Sequence, residues 1–527
     1  MLLVVSIGAL YGQFLWNPII FDDMYFFMLD DTGTQPVSSY QFNLLELRSL
    51  PYATLAWTKA WFGLDLINFR LGGLLLHAAV VVVLYFFLSA MMNVAESGSR
   101  RQRVDKALPP HWVAFFAALL FALNPVATYA AGYLVQRTTV MATLFSLLTM
   151  LVYVHGSVRH KTLSLWLTVP LYYLAVFSKE HAIMLLPALM ALTVLIHRDW
   201  QAKLKERWSV FMSLTLIAAF VVLSRKGLLG SIYEIDAASV LADDGKLAYP
   251  LSILTQSWLF FKYVFLWIFP NSVWMSIDMR EPFAPSVFSI YLLAGLGFLA
   301  WGIGAFWLLR QRGQRGLLGF AMLFPWLMFF TELSSVRAQE VFVLYRSYLW
   351  AAGTFCALPV LLVRVNGRVA SMLLIPIAMV LFLVSMERLM TLSQPVFIWD
   401  DAEKLVKDRQ EVPGAYRIYY NRGTEWLNFG NADQAVKDFK QTIVLNKNFP
   451  EAYGNLGAAY FNQDDWQNAV DSFTLAIDLA QRNGKSLSPR YIHGRAQAYE
   501  KMGDTQRAQV DYRVSCHLSK RGCEKIH

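Results

Sequence analysis

Long apolar runs recur along this chain, and they restrict its possible folds more than any other feature. Segments near 2–19, 66–92, 112–132, 134–154, 162–177, 181–197, 207–224, 287–309, 317–331, 347–363 and 369–388 carry almost no charge. Their lengths approach the roughly 20 residues that a helix needs to cross a bilayer. A chain in lipid must satisfy its backbone polar groups internally, so these runs read as helices and not as loops or open strands. Of the 527 residues, 56% are hydrophobic and 16% charged, with a mean hydropathy of +0.40, which excludes an ordinary soluble globular protein. The net charge of +9 would point to nucleic acid in a soluble chain. Here the Lys and Arg fall between the apolar runs, as topology signals do, so no nucleic-acid partner is expected. The expectation is an all-α, polytopic membrane domain over 1–390 with about eleven spans. Its first run lacks a basic n-region and a small-residue cleavage site, and is read as a retained span.

Five basic loops set the orientation: Arg100, Arg101, Arg103 and Lys106; Arg159 and Lys161; Arg198, Lys203, Lys205 and Arg207; Arg310, Arg312 and Arg315; Arg364 and Arg368. The positive-inside rule places all five in the cytoplasm, with the N-terminus. Counting 251–269 as a crossing would move the last two loops outside. It is therefore read as a helix in the outer interface, with Lys262 snorkelling and Trp258 and Trp267 at headgroup level. The outer side then collects Asp22, Asp23 and Arg48, Arg137, Lys179 and Glu180, and Glu332, Arg337, Glu340 and Arg346. Desolvation of Asp22 and Asp23 by Phe21, Tyr25 and Phe26, together with their mutual repulsion, would raise at least one pKa and suit it to proton transfer. Cations converging on such a pair would hold an anionic lipid headgroup beside a base. Taken singly, each charge reads first as an interfacial anchor or as one half of an interhelical pair.

Several stretches resemble one family, the bacterial relatives of the transmembrane O-mannosyltransferases that carry tetratricopeptide repeats. These belong to the GT-C class of glycosyltransferases that use lipid-phosphate sugars. Phe21-Asp22-Asp23 resembles the family's first-loop acidic motif, and Arg48-Ser49-Leu50-Pro51 its Arg-Pro-Leu segment. Leu120 to Pro125 followed by Tyr133-Leu134-Val135-Gln136-Arg137 is similar to a His-Pro pair preceding Val-Gln-Arg, with Asn124 where that His is usual. Phe177-Ser178-Lys179-Glu180 is similar to Leu-Ser-Lys-Glu. Glu332-Leu333-Ser334-Ser335 and Leu344-Tyr345-Arg346 resemble Glu-Ser-Ser and Glu-His-Arg-Leu-Tyr-Leu, with Tyr345 replacing the His.

The resemblance implies a GT-C-like domain in which Asp22 or Asp23 is the base of an inverting transfer. Arg137, Lys179 and Arg346 would hold the phosphate of a polyprenyl-phosphate sugar, supported by Arg48, Gln136, Glu180, Glu332, Glu340 and Tyr345. No metal ligands are assigned, although the Asp22–Asp23 pair could hold Mg²⁺ or Mn²⁺. The expected acceptor is a hydroxyl of a protein or glycan on the periplasmic face of a bacterial inner membrane. The alternative is an inactive, membrane-anchored repeat scaffold for envelope assembly. A transporter fits less well, because transporter sites lie near the midplane on broken helices.

Beyond Arg388 the composition turns polar. A linker helix is expected within 391–413, with Asp400 and Asp401 in its first turn as macrodipole partners. Over 414–527, Gly423, Ala435 and Phe439 recur as Gly457, Ala469 and Phe473, a spacing of about 34 residues, the length of a tetratricopeptide helix pair. Ala496, Tyr499, Ala508 and Tyr512 continue the pattern after a short insertion, which gives about three repeats and a surface for a protein acceptor or partner. In an oxidising periplasm Cys516 and Cys523 could pair, provided that Gly522 ends the helix and turns the chain back.

Overall fold

The computed structural model describes residues 1–27, 36–97, 107–224, 247–337, 340–362 and 365–526, without the side chains of Tyr25 and Ser97. The expected basic residues Arg100, Arg101, Arg103, Lys106 and Arg364 lie outside the described residues. No strand occurs among the described residues, only an antiparallel bridge between Ala107 and Asn366. The chain divides into two compact units, Met1–Met275 with Pro282–Ser393, and Ser276–Glu281 with Gln394–His527.

In the first unit the helices are α1 (Leu2–Tyr11), α2 (Asp22–Phe27), α3 (Ser49–Phe62), α4 (Leu66–Ser97), α5 (Pro110–Ala122), α6 (Pro125–Ala131), α7 (Arg137–Arg159), α8 (Thr162–Ser178) and α9 (Leu185–Ile196). They continue as α10 (Trp200–Glu206), α11 (Trp208–Ser224), α12 (Ala248–Ile268), α13 (Ile290–Arg310), α14 (Gly313–Leu333), α15 (Tyr348–Thr354), α16 (Ala357–Leu362) and α17 (Gly367–Thr391). Among the described residues six helices are long and apolar enough to cross a membrane, namely α4, α7, α12, α13, α14 and α17. The number reaches eight if the bent pairs α5–α6 (66°) and α10–α11 (73°) each form one span. That is fewer than the eleven expected. The apolar runs at 2–19, 162–177 and 181–197 fold into shorter helices, and 347–363 breaks into α15 and α16. Hydropathy counts apolar residues but not the turns that interrupt them.

The two ends of this bundle are chemically distinct. At one, Arg312 Nη2 donates to His197 O (2.7 Å), and Arg207 Nη1 donates to Ser157 Oγ (2.8 Å). The basic loops after α7, α9 and α13 therefore meet. At the other, Lys179 reaches Gln136 and His181 reaches Glu332. α7, α9 and α14 run between the two ends, each with one terminus in either cluster.

α12 is long and apolar enough to cross, yet its polar side chains follow a single loop of the second end. Gln256 Nε2 donates to Val341 O (2.9 Å), Tyr263 to Val343 O (2.9 Å) and Trp267 Nε1 to Ser347 Oγ (2.9 Å). Trp267, expected from sequence to face the headgroups, packs inside the protein. It is buried and stacks on Phe121 with ring centroids 5.5 Å apart, because its indole N–H finds a protein acceptor.

In the second unit α18 (Pro395–Val406) precedes three helix pairs, α19 (Ala415–Asn428) with α20 (Ala432–Leu445), α21 (Pro450–Asn462) with α22 (Trp466–Arg482), and α23 (Pro489–Lys501) with α24 (Thr505–Ser519). The recurring glycines are explained by the aromatic of the partner helix. A Cβ at Gly423 would lie 3.0 Å from the Phe439 ring, and one at Gly457 2.9 Å from Phe473. Repeats one and three share a buried ion pair, Arg422–Asp438 and Arg495–Asp511, 16 residues apart in each. Leu456 and Ser472 take those places in the middle repeat, so neither charge is left without the other.

Asp400 and Asp401 are not in a first turn, because α18 starts at Pro395. Asp400 instead accepts from Arg422 Nη1 (3.0 Å), and Asp401 from Lys404 (3.2 Å). Cys516 and Cys523 are bridged, with Cα atoms 4.9 Å apart. Lys520 (φ 60°) and Gly522 (φ 77°) reverse the chain after α24, as the pairing requires.

Candidate functional site

The first loop is shaped by two residues in the left-handed region, Phe21 (φ 47°) and Arg48 (φ 63°), a costly conformation for large side chains that persists only where the surroundings impose it. Phe21 stacks on Tyr133, and the amide of Asp22 donates to the Tyr133 hydroxyl (2.8 Å). The two adjacent aspartates then part. Asp23 is fully buried and accepts from the amides of Leu134 (3.3 Å) and Val135 (2.9 Å), pinning the turn that leads into α7. Asp22 lines a cavity of about 920 Å³. Burial pushes the Asp23 carboxyl up to about 7, against the pull of Arg70 and of its two amide donors. The two carboxylates, whose adjacency suggested a joint Mg²⁺ or Mn²⁺ site, thus serve different surroundings. No group of three or more His, Cys, Asp or Glu able to hold a metal ion occurs among the described residues.

The same cavity is lined by Arg48, Gln136, Lys179, Glu180, His181, Arg337, Glu340, Tyr345 and Arg346. Apolar side chains close it from three helices, including Leu186 of α9, Val221 of α11 and Phe330 of α14. Arg48 and Glu180 form a bidentate pair, with Nε to Oε2 at 3.0 Å. Lys179 Nζ donates to Thr139 Oγ1 (2.6 Å) and Gln136 Oε1 (3.3 Å) and lies 5.1 Å from the centre of the Tyr345 ring. These partners are neutral. Burial drives the Lys179 ammonium down to about 7, helped by Arg48 and Arg346 and opposed by Glu180 and Glu332. Glu332, almost wholly buried, accepts from His181 Nε2 (3.0 Å) and faces Arg346 (3.4 Å) and Arg337 (3.7 Å). Arg346 also donates to the Glu340 carboxylate (2.9 Å) and carbonyl (3.1 Å).

Arg137 is not with the other two expected phosphate ligands. It does not line the cavity, and its guanidinium turns back against α3 and α4, donating to Phe69 O (2.8 Å) and Thr54 Oγ1 (3.2 Å). Gly72 lets it lie there, since a Cβ at that position would come within 2.9 Å of Nη2. Arg137→Met is therefore expected to lower the thermal unfolding temperature in detergent, because Phe69 O and Thr54 Oγ1 lose their donor. An unchanged unfolding temperature would overturn this structural role.

Asn124, where a His is usual in the resembling family, caps α6. It accepts from the Val126 amide (3.0 Å) and donates to Trp267 O (3.0 Å). Tyr133, His181 and Arg337 join the expected site residues. Tyr133 lay inside a quoted motif, Arg337 was one of the outer charges and His181 follows Glu180, but only the folded chain sets Tyr133 against Asp22 and Tyr345 and puts His181 and Arg337 in the cavity lining.

Comparisons with known proteins agree with parts of this picture. The tetratricopeptide repeat model matches residues 450–483. The chain is 32% identical over 154 residues to the Protein O-mannosyl-transferase tmtc2 of Xenopus laevis, covering 29% of this chain and 15% of that protein. It is 28% identical over 71 residues to the Small glutamine-rich tetratricopeptide repeat-containing protein 2 of Mycosarcoma maydis, covering 14% and 20%. The chain thus spans a fifth or less of the curated relatives it matches. Among solved structures, the crystal structure of the APC/C hetero-tetramer Cut9-Hcn1 aligns with 90% of this chain and 79% of that chain, at 14% identity and a TM-score of 0.22. The chain is a helical protein with tetratricopeptide repeats, several helices suited to a bilayer, and a distant similarity to an O-mannosyltransferase.

Proposed function

We propose that this chain is an integral membrane glycosyltransferase of the GT-C type, which moves a sugar from a polyprenyl phosphate to an acceptor hydroxyl with inversion. The observation that carries the reading is the cavity itself, which brings the Asp22 carboxylate and the cations Lys179 and Arg346 together with an apolar wall, while the lining carboxylates Glu180 and Glu340 are paired with Arg48 and Arg346. Such a lining suits a ligand with an anionic head and a hydrocarbon chain. Asp22 takes the proton of the acceptor hydroxyl as its oxygen attacks the anomeric carbon, and the bond from that carbon to the phosphate oxygen breaks. Lys179 and Arg346 receive the charge on the departing phosphate, and an anion beside Lys179 keeps its ammonium protonated. Asp23, Tyr133 and Arg48 position the base loop.

The basic loops that meet at the far end of the bundle mark the cytoplasmic side, so the cavity opens outward, toward the periplasm if the host is a Gram-negative bacterium. The Cys516–Cys523 bridge agrees with repeats in an oxidising compartment. There the repeats would recruit a protein acceptor or partner. The test is transfer or slow hydrolysis by the full chain in nanodiscs, supplied with polyprenyl-phosphate mannose and other labelled polyprenyl-phosphate sugars. Release of sugar from at least one donor is expected. No release from any of them, by folded protein with hydroxyl acceptors present, overturns the reading.

A further inference from the structure

Arg346 is held by two carboxylates of very different standing. Glu332 is 3% exposed and shared with His181 and Arg337, so it belongs to the frame. Glu340 is 36% exposed, lines the cavity, and meets Arg346 through a 2.9 Å contact from Nη2 to Oε2. A carboxylate on that edge of a guanidinium uses the same donors that a phosphate would use.

We propose that Glu340 competes with the lipid phosphate for Arg346, and that its return to Arg346 expels the polyprenyl phosphate left after each transfer. The proposal rests on the donor reading above. In that reaction the carbon–oxygen bond to phosphate breaks, the acceptor oxygen bonds the anomeric carbon, and the acceptor proton passes to Asp22. The donor phosphate enters as a diester with one negative charge and leaves as a monoester with two. The cation wall therefore attracts the product more strongly than the substrate, which would leave the site blocked by its own product. A carboxylate tethered six residues from Arg346 meets this problem. Its effective concentration is high and independent of lipid, and at 36% exposure its side chain already reaches water. Glu332, buried with several partners, cannot exchange in this way.

The experiment titrates full-length protein, in nanodiscs of phosphatidylethanolamine and phosphatidylglycerol, with polyprenyl phosphate lacking sugar, and follows turnover of the best polyprenyl-phosphate-sugar donor. Glu340→Gln is expected to bind polyprenyl phosphate about tenfold tighter, the scale of losing one competing charge pair. Its time course should acquire a burst of one turnover followed by a slow phase limited by release. Glu340→Asp, which keeps the charge, is expected to fall between the two and controls for misfolding. Unchanged or weaker binding by Glu340→Gln, or the absence of a burst, overturns the proposal and makes Glu340 a support of Arg346 alone. If the parent chain itself fails to bind polyprenyl phosphate, the donor reading falls and this proposal with it, an outcome told apart by the parent protein.

Discussion

If Asp22 is the base proposed above, transfer by an Asp22→Asn variant is expected to fall by about 10² to 10⁴ relative to the parent chain, the usual worth of a positioned general base. The hydrogen bond from the residue 22 amide to the Tyr133 hydroxyl is retained in this variant. Asp23→Asn behaves differently. The Asn oxygen can still accept from Leu134 or Val135, so the turn into α7 persists, but a buried titrating group is removed. With its folded pKa raised to about 7 from an ordinary carboxylate value, the Asp23 carboxyl binds more protons in the folded chain than in the unfolded one. Its contribution to stability is full below about pH 4 and is lost as the pH rises through about 7. Thermal unfolding of the parent between about pH 5 and 8 should show this decline, and Asp23→Asn should reduce it. A large loss of transfer in Asp23→Asn with normal transfer in Asp22→Asn would reverse the two roles.

The second large effect concerns Glu332. Removing it by Glu332→Ala takes from Arg346 the more buried of its two carboxylates, leaving Glu340, takes the facing carboxylate from the partly buried Arg337, and deprives His181 of its acceptor. Breaking a buried pair from one side typically costs about 3 to 5 kcal/mol, since an uncompensated charge remains. The variant is expected to unfold at clearly lower temperature and to weaken donor binding, because Arg346 is then held by Glu340 without the buried Glu332. Glu332→Gln keeps an oxygen for His181 while removing the charge, and should lie between. A Glu332→Ala protein as stable as the parent would show that Arg337 and Arg346 find other anions.

The difference between Arg137 and Lys179 shows where sequence reasoning stops. Both are cations at the end of an apolar run, beside residues that match one family's motifs. Their fates are set by partners far along the chain. Thr54, Phe69 and Gly72 draw Arg137 away from the cavity, while Gln136, Thr139 and Tyr345 hold Lys179 at its edge. The aspartate pair has the same lesson at shorter range. Adjacent residues on a helix point about 100° apart, so neighbours in sequence need not be neighbours in chemistry. The carboxylate pair that adjacency suggested as a metal site is divided between a buried turn and a cavity wall.

What the sequence alone determined is whatever depends on composition and period. The apolar runs dictate helices, because lipid leaves the backbone no other partner. The 34-residue spacing of Gly, Ala and Phe dictates stacked helix pairs, because a small residue must sit under each aromatic. Only the tertiary structure decided which apolar runs stay unbroken, which aspartate faces the cavity, and which cations face it too. Those outcomes depend on side-chain direction and on contacts between residues a hundred or more positions apart, such as Asp23 with Val135 or Arg48 with Glu180. No local pattern encodes them.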